Sequence, residues 1–176
     1  MINYSIILFG YMGVGKSYIG KKLSKELMID FIDLDNYIET HEKKSISNIF
    51  FEKGEIYFRS IENKYLELIL NKNFKCIIST GGGTPCYSNN IDLIKRNKDL
   101  KSFYLKSSST QLTNILFSER EKRPLISSIN SKKDLNSFIS KHLFERNIFY
   151  NQADYVIDVE KKKLSKVLSE IKEKLT

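Results

Sequence analysis

The sequence predicts a three-layer α/β/α fold, a five-stranded parallel sheet covered by helices on both faces, and three observations carry that reading. Short apolar runs alternate along the chain with amphipathic stretches of helical period, as expected for strands buried on both faces and joined by crossover helices. The first run leads into Gly10-Tyr11-Met12-Gly13-Val14-Gly15-Lys16-Ser17, a G-x-x-x-x-G-K-[ST] loop, and that loop leads into a helical stretch. This is the strand-loop-helix setting in which such a loop cradles nucleotide phosphates. The 176 residues suit one domain, 1–176, with enough chain to bury a core.

Taken in order, Ser5 to Phe9 is the first strand. In the loop after it, Gly10, Gly13 and Gly15 let backbone N–H groups approach an anion that a Cβ would hold away. Lys16 is placed to reach the β- and γ-phosphates, and Ser17 to set its hydroxyl on Mg²⁺. Met12, Val14 and Tyr18 complete the expected ATP-contacting set. From Ser17 to Met28 the apolar Ile19, Leu23 and Leu27 step by four among lysines, which makes an amphipathic helix. Residues 31–35 read as a second strand, whose alternation would put Asp33 and Asp35 on one side. Asn36 to Glu42 is a helix, and Ser45 can cap another through Ile46, Ile49 and Phe50. Gly54-Glu55 breaks the pattern before a long helix with Tyr57, Phe58, Ile61, Tyr65, Leu68 and Ile69 on its buried side. Arg59 and Glu62, three apart, are neighbours on its surface.

Cys76 to Ser79 is the third strand, and Gly81-Gly82-Gly83 at its carboxyl end offers bare backbone to a ligand. A helix near Ile91 to Arg96, a strand at Ser102 to Leu105 and a helix at Thr110 to Phe117 follow. Residues 118–133 lack periodicity, are charged at their start and contain Arg123-Pro124-Leu125; a loop of that length in a compact domain predicts a lid. A helix from Asp134 to Phe149, a strand at Tyr155 to Asp158 and a helix from Leu164 to Leu175 close the chain. Ligands are expected above the carboxyl ends of the strands.

Composition narrows the function classes. Twenty-nine basic against 21 acidic residues give a charge of +8. The lysines are spread without the interleaved aromatics of a base-stacking platform, so a drift towards Lys, Asn and Ile is the simpler source of that charge. No apolar run approaches the roughly 18 residues of a membrane span. Met1 to Phe9 lacks a basic n-region and a cleavage site. Cys76 and Cys86, outside any C-x-x-C and away from His, suit unlinked thiols in a reducing compartment, so a cytoplasmic location is expected. His41 and His142 have no partners at metal-ligand spacing and are assigned no role.

The third strand ends in glycines rather than in the Asp of a motor ATPase or GTPase, which leaves Asp33 and Asp35 as the nearest carboxylates for Mg²⁺. Asn63-Lys64-Tyr65-Leu66 lacks the Asp of N-K-x-D and falls in a helix, which argues against GTP. A short chain with a lid and no guanine reader points to a small-molecule kinase. On the residues alone, Asp35 reads equally as a cap for the helix at Asn36, Arg59 and Arg146 suit a carboxylate ahead of a surface ion pair, Arg123 reads as a solvated loop charge, and Phe50 and Phe58 as core.

At this point the sequence resembles the shikimate kinase family. The likeness runs through Gly10-x-Met12-Gly13-x-Gly15-Lys16-Ser17, Phe31-x-Asp33-x-Asp35-x-x-Ile38-Glu39 and Ser45-Ile46-x-x-Ile49-Phe50. It continues through Gly54-Glu55-x-x-Phe58-Arg59-x-x-Glu62, Gly81-Gly82-Gly83 and Arg123-Pro124-Leu125 to Arg146 with Tyr150, and so spans nearly the whole chain. The resemblance implies a P-loop NTPase of the nucleoside-monophosphate-kinase build, with a substrate segment at about 34–62 and the lid at 118–133. It implies that ATP, with Mg²⁺, phosphorylates the 3-hydroxyl of shikimate on the route to chorismate and the aromatic amino acids.

By the same resemblance Arg59 and Arg146 clamp the substrate carboxylate, with Glu62 orienting Arg59, since a guanidinium fork matches a carboxylate. Asp35 accepts from the ring hydroxyls and takes the proton, Asp33 holds water on Mg²⁺, Gly81 to Gly83 bring backbone N–H groups to the substrate, and Phe50 and Phe58 wall its pocket. Arg123 enters with the lid. The chain departs from the family pattern in three places. Leu116 stands where relatives often carry an adenine-packing Arg, a contact that Arg120 can take over. Thr84-Pro85-Cys86 follows the glycines where small apolar residues are commoner, and no proline precedes Tyr150. The last two changes are expected to leave the charged roles untouched. A monomer is expected. The rivals are another small-molecule kinase of this build, acting on gluconate or a nucleoside monophosphate, and a basic nucleotide-gated module that binds nucleic acid without catalysis.

Overall fold

Alternation in the first strand divides the molecule into its layers. In the computed structural model, which describes residues 3–175 except 73 and 124, the elements run β1 (Ser5–Phe9), α1 (Lys16–Leu27), β2 (Asp30–Asp33), α2 (Leu34–Glu42), α3 (Ile46–Leu70), β3 (Cys76–Ser79), α4 (Asn90–Arg96), β4 (Leu100–Lys106), α5 (Ser109–Phe117), α6 (Lys132–Tyr150), β5 (Tyr155–Asp158) and α7 (Leu164–Glu173). Pro124 of the lid motif and Met1 of the amino-terminal reading lie outside the described residues.

Within β1, Ile6 and Leu8 enter one hydrophobic layer and Ile7 and Phe9 the other, because successive strand side chains point to opposite faces. The first layer takes α1, α5, α7 and the start of α6 through Leu23, Leu112, Leu135 and Ile171. The second takes α2, α3 and α4 through Ile38, Leu66 and Ile94, together with Tyr150 at the end of α6. β1 lies at the centre of a five-stranded sheet ordered β2-β3-β1-β4-β5. All four pairings are parallel, so the carboxyl ends of the strands gather on one side and the loops after β1 and β3 emerge together. No helix among the described residues is long and apolar enough to cross a membrane.

The expected elements are present, with one correction that bears on the site. β2 stops at Asp33, so Asp33 and Asp35 are not brought together by strand alternation. Asp33 is instead the N-cap of α2, its Oδ1 accepting from the Asn36 backbone N–H at 3.3 Å, and Asp35 sits in the first helical turn. Satisfying an orphan N–H of the helix end outweighs two further residues of strand. Gly54 interrupts α3 with φ 78° and ψ 174°, so two helical segments meet at an angle there. The predicted lid holds a turn of 3₁₀ helix at Arg120–Lys122, and its Ile126 is fully buried in the first layer.

Candidate active site

Above β1 and β3 lies a cavity of about 250 Å³, and four segments build it. The loop after β1 supplies Met12, Gly13, Gly15, Lys16 and Ser17; the start of α2 supplies Asp33 and Asp35; the end of β3 supplies Thr80, Gly81 and Gly82; the lid supplies Arg123. Gly10 and Val14 belong to the same phosphate loop without lining this cavity. Lys16 is 8% exposed, and its Nζ donates to the carbonyls of Gly10 at 2.9 Å and Tyr11 at 3.0 Å. Burial pushes it down to about 8; Arg123 and Arg146 push the same way, while Asp35 and Asp33 oppose them. An anion seated in the loop would push it back up.

Ser17 Oγ donates to Asp33 Oδ2 at 2.6 Å and lies 3.2 Å from Ser79 Oγ. A hydroxyl beside a carboxylate is a hard oxygen donor set of the kind Mg²⁺ takes when phosphate and water complete its shell. Asp35 is raised to about 6, first by burial, then by the charges of Asp33 and Glu62, with Lys16 opposing.

Arg59 and Arg146 stand just beyond the lining of this cavity. Arg59 lines a neighbouring one of about 490 Å³ with Glu55 and Tyr87. Its Nη1 donates to Glu62 at 2.8 Å, its Nε and Nη2 to Glu55 at 3.3 and 3.2 Å, and its guanidinium lies 4.0 Å from the Tyr87 ring and 5.1 Å from Phe58. Arg146 reaches over Tyr11, 5.5 Å from the ring, and hydrogen-bonds Tyr150, whose hydroxyl donates to the Gly82 carbonyl. The charges of both guanidiniums are felt by one side chain, Cys86. Burial pushes the Cys86 thiol up to about 11 against the pull of both cations. Phe50 and Phe58 stack at 4.5 Å in the second layer and line neither cavity, although Phe58 supports Arg59 from below.

Gly83 matters for a different reason from bare N–H groups. A Cβ there would lie 2.8 Å from Arg59 Nη2 and 3.0 Å from Nη1, so only glycine lets the guanidinium rest on the turn. Gly83→Ala is expected to displace Arg59 with the melting temperature little changed and, on the substrate role proposed for Arg59 below, to raise the substrate KM by about tenfold, an effect of ~1.4 kcal/mol. Steady-state kinetics beside a thermal melt check this.

Arg123 Nη2 donates to Glu119 at 2.8 Å. Arg120 lines neither cavity: its Nη1 donates to the Phe117 carbonyl at 2.7 Å and its guanidinium stacks 4.3 Å from the Phe117 ring. On the outer side of the phosphate loop, Val14 and Tyr18 share a cavity of about 280 Å³ with Gln111, Ile115, Val159 and Lys162. Leu116 does not reach it; fully buried, it packs under Gly13, where a Cβ would meet it at 2.8 Å.

Sequence reading missed several residues here. His142 Nδ1 lies 3.1 Å from the Tyr11 hydroxyl, and His142 and Arg146 share one helix face; their spacing of four was the available signal. Ile115 and Gln111 needed the register of α5. Thr84, fully buried, donates to Glu62 at 2.6 Å, and nothing in the spacing announced it. Thr84 therefore does touch a charged group, against the expectation for that segment.

A family model described as shikimate kinase matches residues 12–176. A shikimate kinase of Flavobacterium johnsoniae is 43% identical over 166 residues, covering 94% of this chain and 95% of that protein. The crystal structure of shikimate kinase from Bacteroides thetaiotaomicron superposes with a TM-score of 0.88 at 32% identity, over 98% of each chain. Shikimate kinase from Acinetobacter baumannii, solved in complex with shikimate, shares the fold with a TM-score of 0.86 at 24% identity, over 98% of this chain and 92% of that one.

Proposed function

The chain belongs to the shikimate kinase family, and from that premise we propose that it transfers the γ-phosphoryl group of ATP to the 3-hydroxyl of shikimate, giving ADP and shikimate 3-phosphate. One observation carries the reading at the level of residues: Lys16, the Ser17–Asp33 pair and Asp35 face a single cavity at the phosphate loop. An anionic donor and a hydroxylated acceptor can meet there.

The backbone N–H groups of residues 10–17 bind the phosphates, and Lys16 exchanges two loop carbonyls for phosphate oxygens. Ser17 and Asp33 would hold Mg²⁺, directly or through water; when bound, it neutralises charge on the phosphate oxygens. Asp35 takes the proton of the 3-hydroxyl as that oxygen bonds to the γ-phosphorus and the bond to the leaving ADP oxygen breaks. A carboxylate raised to about 6 is a stronger base than an ordinary one and still ionised at neutral pH. Arg59 and Arg146, whose charges both reach Cys86, grip the substrate carboxylate.

Since Ile126 is held in the core, the part of the lid that swings lies ahead of it and carries Arg123. The base of ATP lies in the outer cavity between Tyr18, Ile115 and Val159. In this reading residues 1–176 form one catalytic domain, with a substrate segment at 34–62 and a lid at 118–133. It acts as a monomer in the cytoplasm on small molecules rather than on nucleic acid.

Coupled ADP release with shikimate, gluconate and nucleoside monophosphates offered side by side tests the assignment. Turnover of another acceptor without turnover of shikimate would overturn it. Arg59→Lys is expected to raise the KM for shikimate about 10- to 100-fold with a smaller change in kcat. The ammonium keeps the charge and loses the fork.

A further inference from the structure

Glu62 is fully buried, and among the described residues each carboxylate oxygen has one hydrogen-bond partner. Oε2 accepts from Arg59 Nη1 at 2.8 Å, and Oε1 accepts from Thr84 Oγ1 at 2.6 Å. A carboxylate this far from water needs both oxygens satisfied and is held where its donors hold it. Thr84 is well placed for that task. It is fully buried, in the 3₁₀ turn Thr84–Cys86 that Pro85 stiffens, and its carbonyl accepts from Asn90 Nδ2 at 2.8 Å. Asn90 Oδ1 in turn accepts from Asn63 Nδ2 at 2.8 Å, and Asn63 follows Glu62 on α3. The hydrogen bonds thus close a ring from α3 through the glycine turn and α4 back to α3.

On its other side Arg59 is held by Glu55, whose side chain is 54% exposed. An exposed ion pair of that kind fixes a guanidinium weakly. Tyr87 and Phe58 pack on the guanidinium, 4.0 and 5.1 Å away, while the buried polar partner that fixes its rotation is Glu62, whose other oxygen is held by Thr84. We propose that Thr84 is a positioning residue for the acceptor carboxylate: its hydroxyl locks Glu62, and Glu62 aims Arg59. The inference rests on the reading of Arg59 as the ligand of the shikimate carboxylate.

Thr84→Val keeps the shape and removes the donor. It is expected to raise the KM for shikimate about tenfold or more, the effect of losing a hydrogen bond to a charged group, while kcat and the KM for ATP stay within about twofold. Thr84→Ser, which restores the hydroxyl, is expected to return the KM to within about twofold of the parent. An unchanged KM in the valine variant, an equal loss in kcat and in the KM for ATP, or failure of serine to restore the KM overturns the proposal.

Should the valine variant not fold, Thr84→Ala against Thr84→Ser makes the same comparison. A raised KM in alanine alone supports the proposal, and equal values overturn it. A parent enzyme inactive on shikimate removes the functional reading and this inference together. An active parent with an indifferent Thr84 removes this inference alone.

Discussion

Replacing Arg123 by alanine is expected to lower kcat about 10³- to 10⁵-fold while changing the KM for shikimate far less, as for other arginines that meet a transferring phosphoryl group. Arg123 already lines the cavity of Lys16 and Asp35, so the movement asked of it is short. Among the described residues its guanidinium pairs with Glu119 at 2.8 Å, the two side chains being 34% and 50% exposed. Pairs of this kind are worth about 0.3–0.5 kcal/mol. The transition-state stabilisation at stake is ~4–7 kcal/mol, since each tenfold in rate is about 1.4 kcal/mol, so giving up Glu119 is a minor cost. Arg123→Lys, with charge but no fork, is expected to fall between parent and alanine in the same rate assay.

Asp35→Asn should cost about 10²- to 10⁴-fold in kcat, the usual contribution of a positioned general base. The amide keeps the size and the hydrogen bonding and cannot take the proton. The same residue sets the pH dependence. Burial and the charges of Asp33 and Glu62 hold Asp35 at about 6, and the base proposed for this residue works in its ionised form. The parent kcat/KM for shikimate is therefore expected to be full above that pH and to fall towards tenfold per unit below it. A cation bound beside Asp33 stabilises the carboxylate and moves this limb to lower pH as Mg²⁺ is raised. The asparagine variant should lose the limb. Profiles of kcat/KM at low and high Mg²⁺ measure all three effects, and a limb that survives in the variant would assign it to another group.

Much of this was legible in sequence because two periods dominate the chain. Alternating burial in β1 and the four-residue steps of α1 follow directly from side chains that must choose a layer. The phosphate loop was legible because glycine spacing and Lys16 encode it locally. Asp33 and Asp35 were placed at the right cavity by the wrong element: a run of apolar and acidic residues fits a strand and a capped helix start equally well, and only the Asn36 N–H decides between them. Arg120 stacks on Phe117 rather than lining the cavity of Tyr18 and Ile115, a local contact that sequence spacing does not encode. Thr84 was invisible because its importance lies in a buried carboxylate 22 positions earlier in the chain.

The way Lys16 rests on its own loop has a consequence for how nucleotide arrives. With two carbonyls accepting from its ammonium, the loop braces itself through its own backbone. ATP has to swap partners there, not create order. Association should thus proceed without the large negative entropy that marks folding coupled to binding, leaving closure of the lid as the main rearrangement that calorimetry would register.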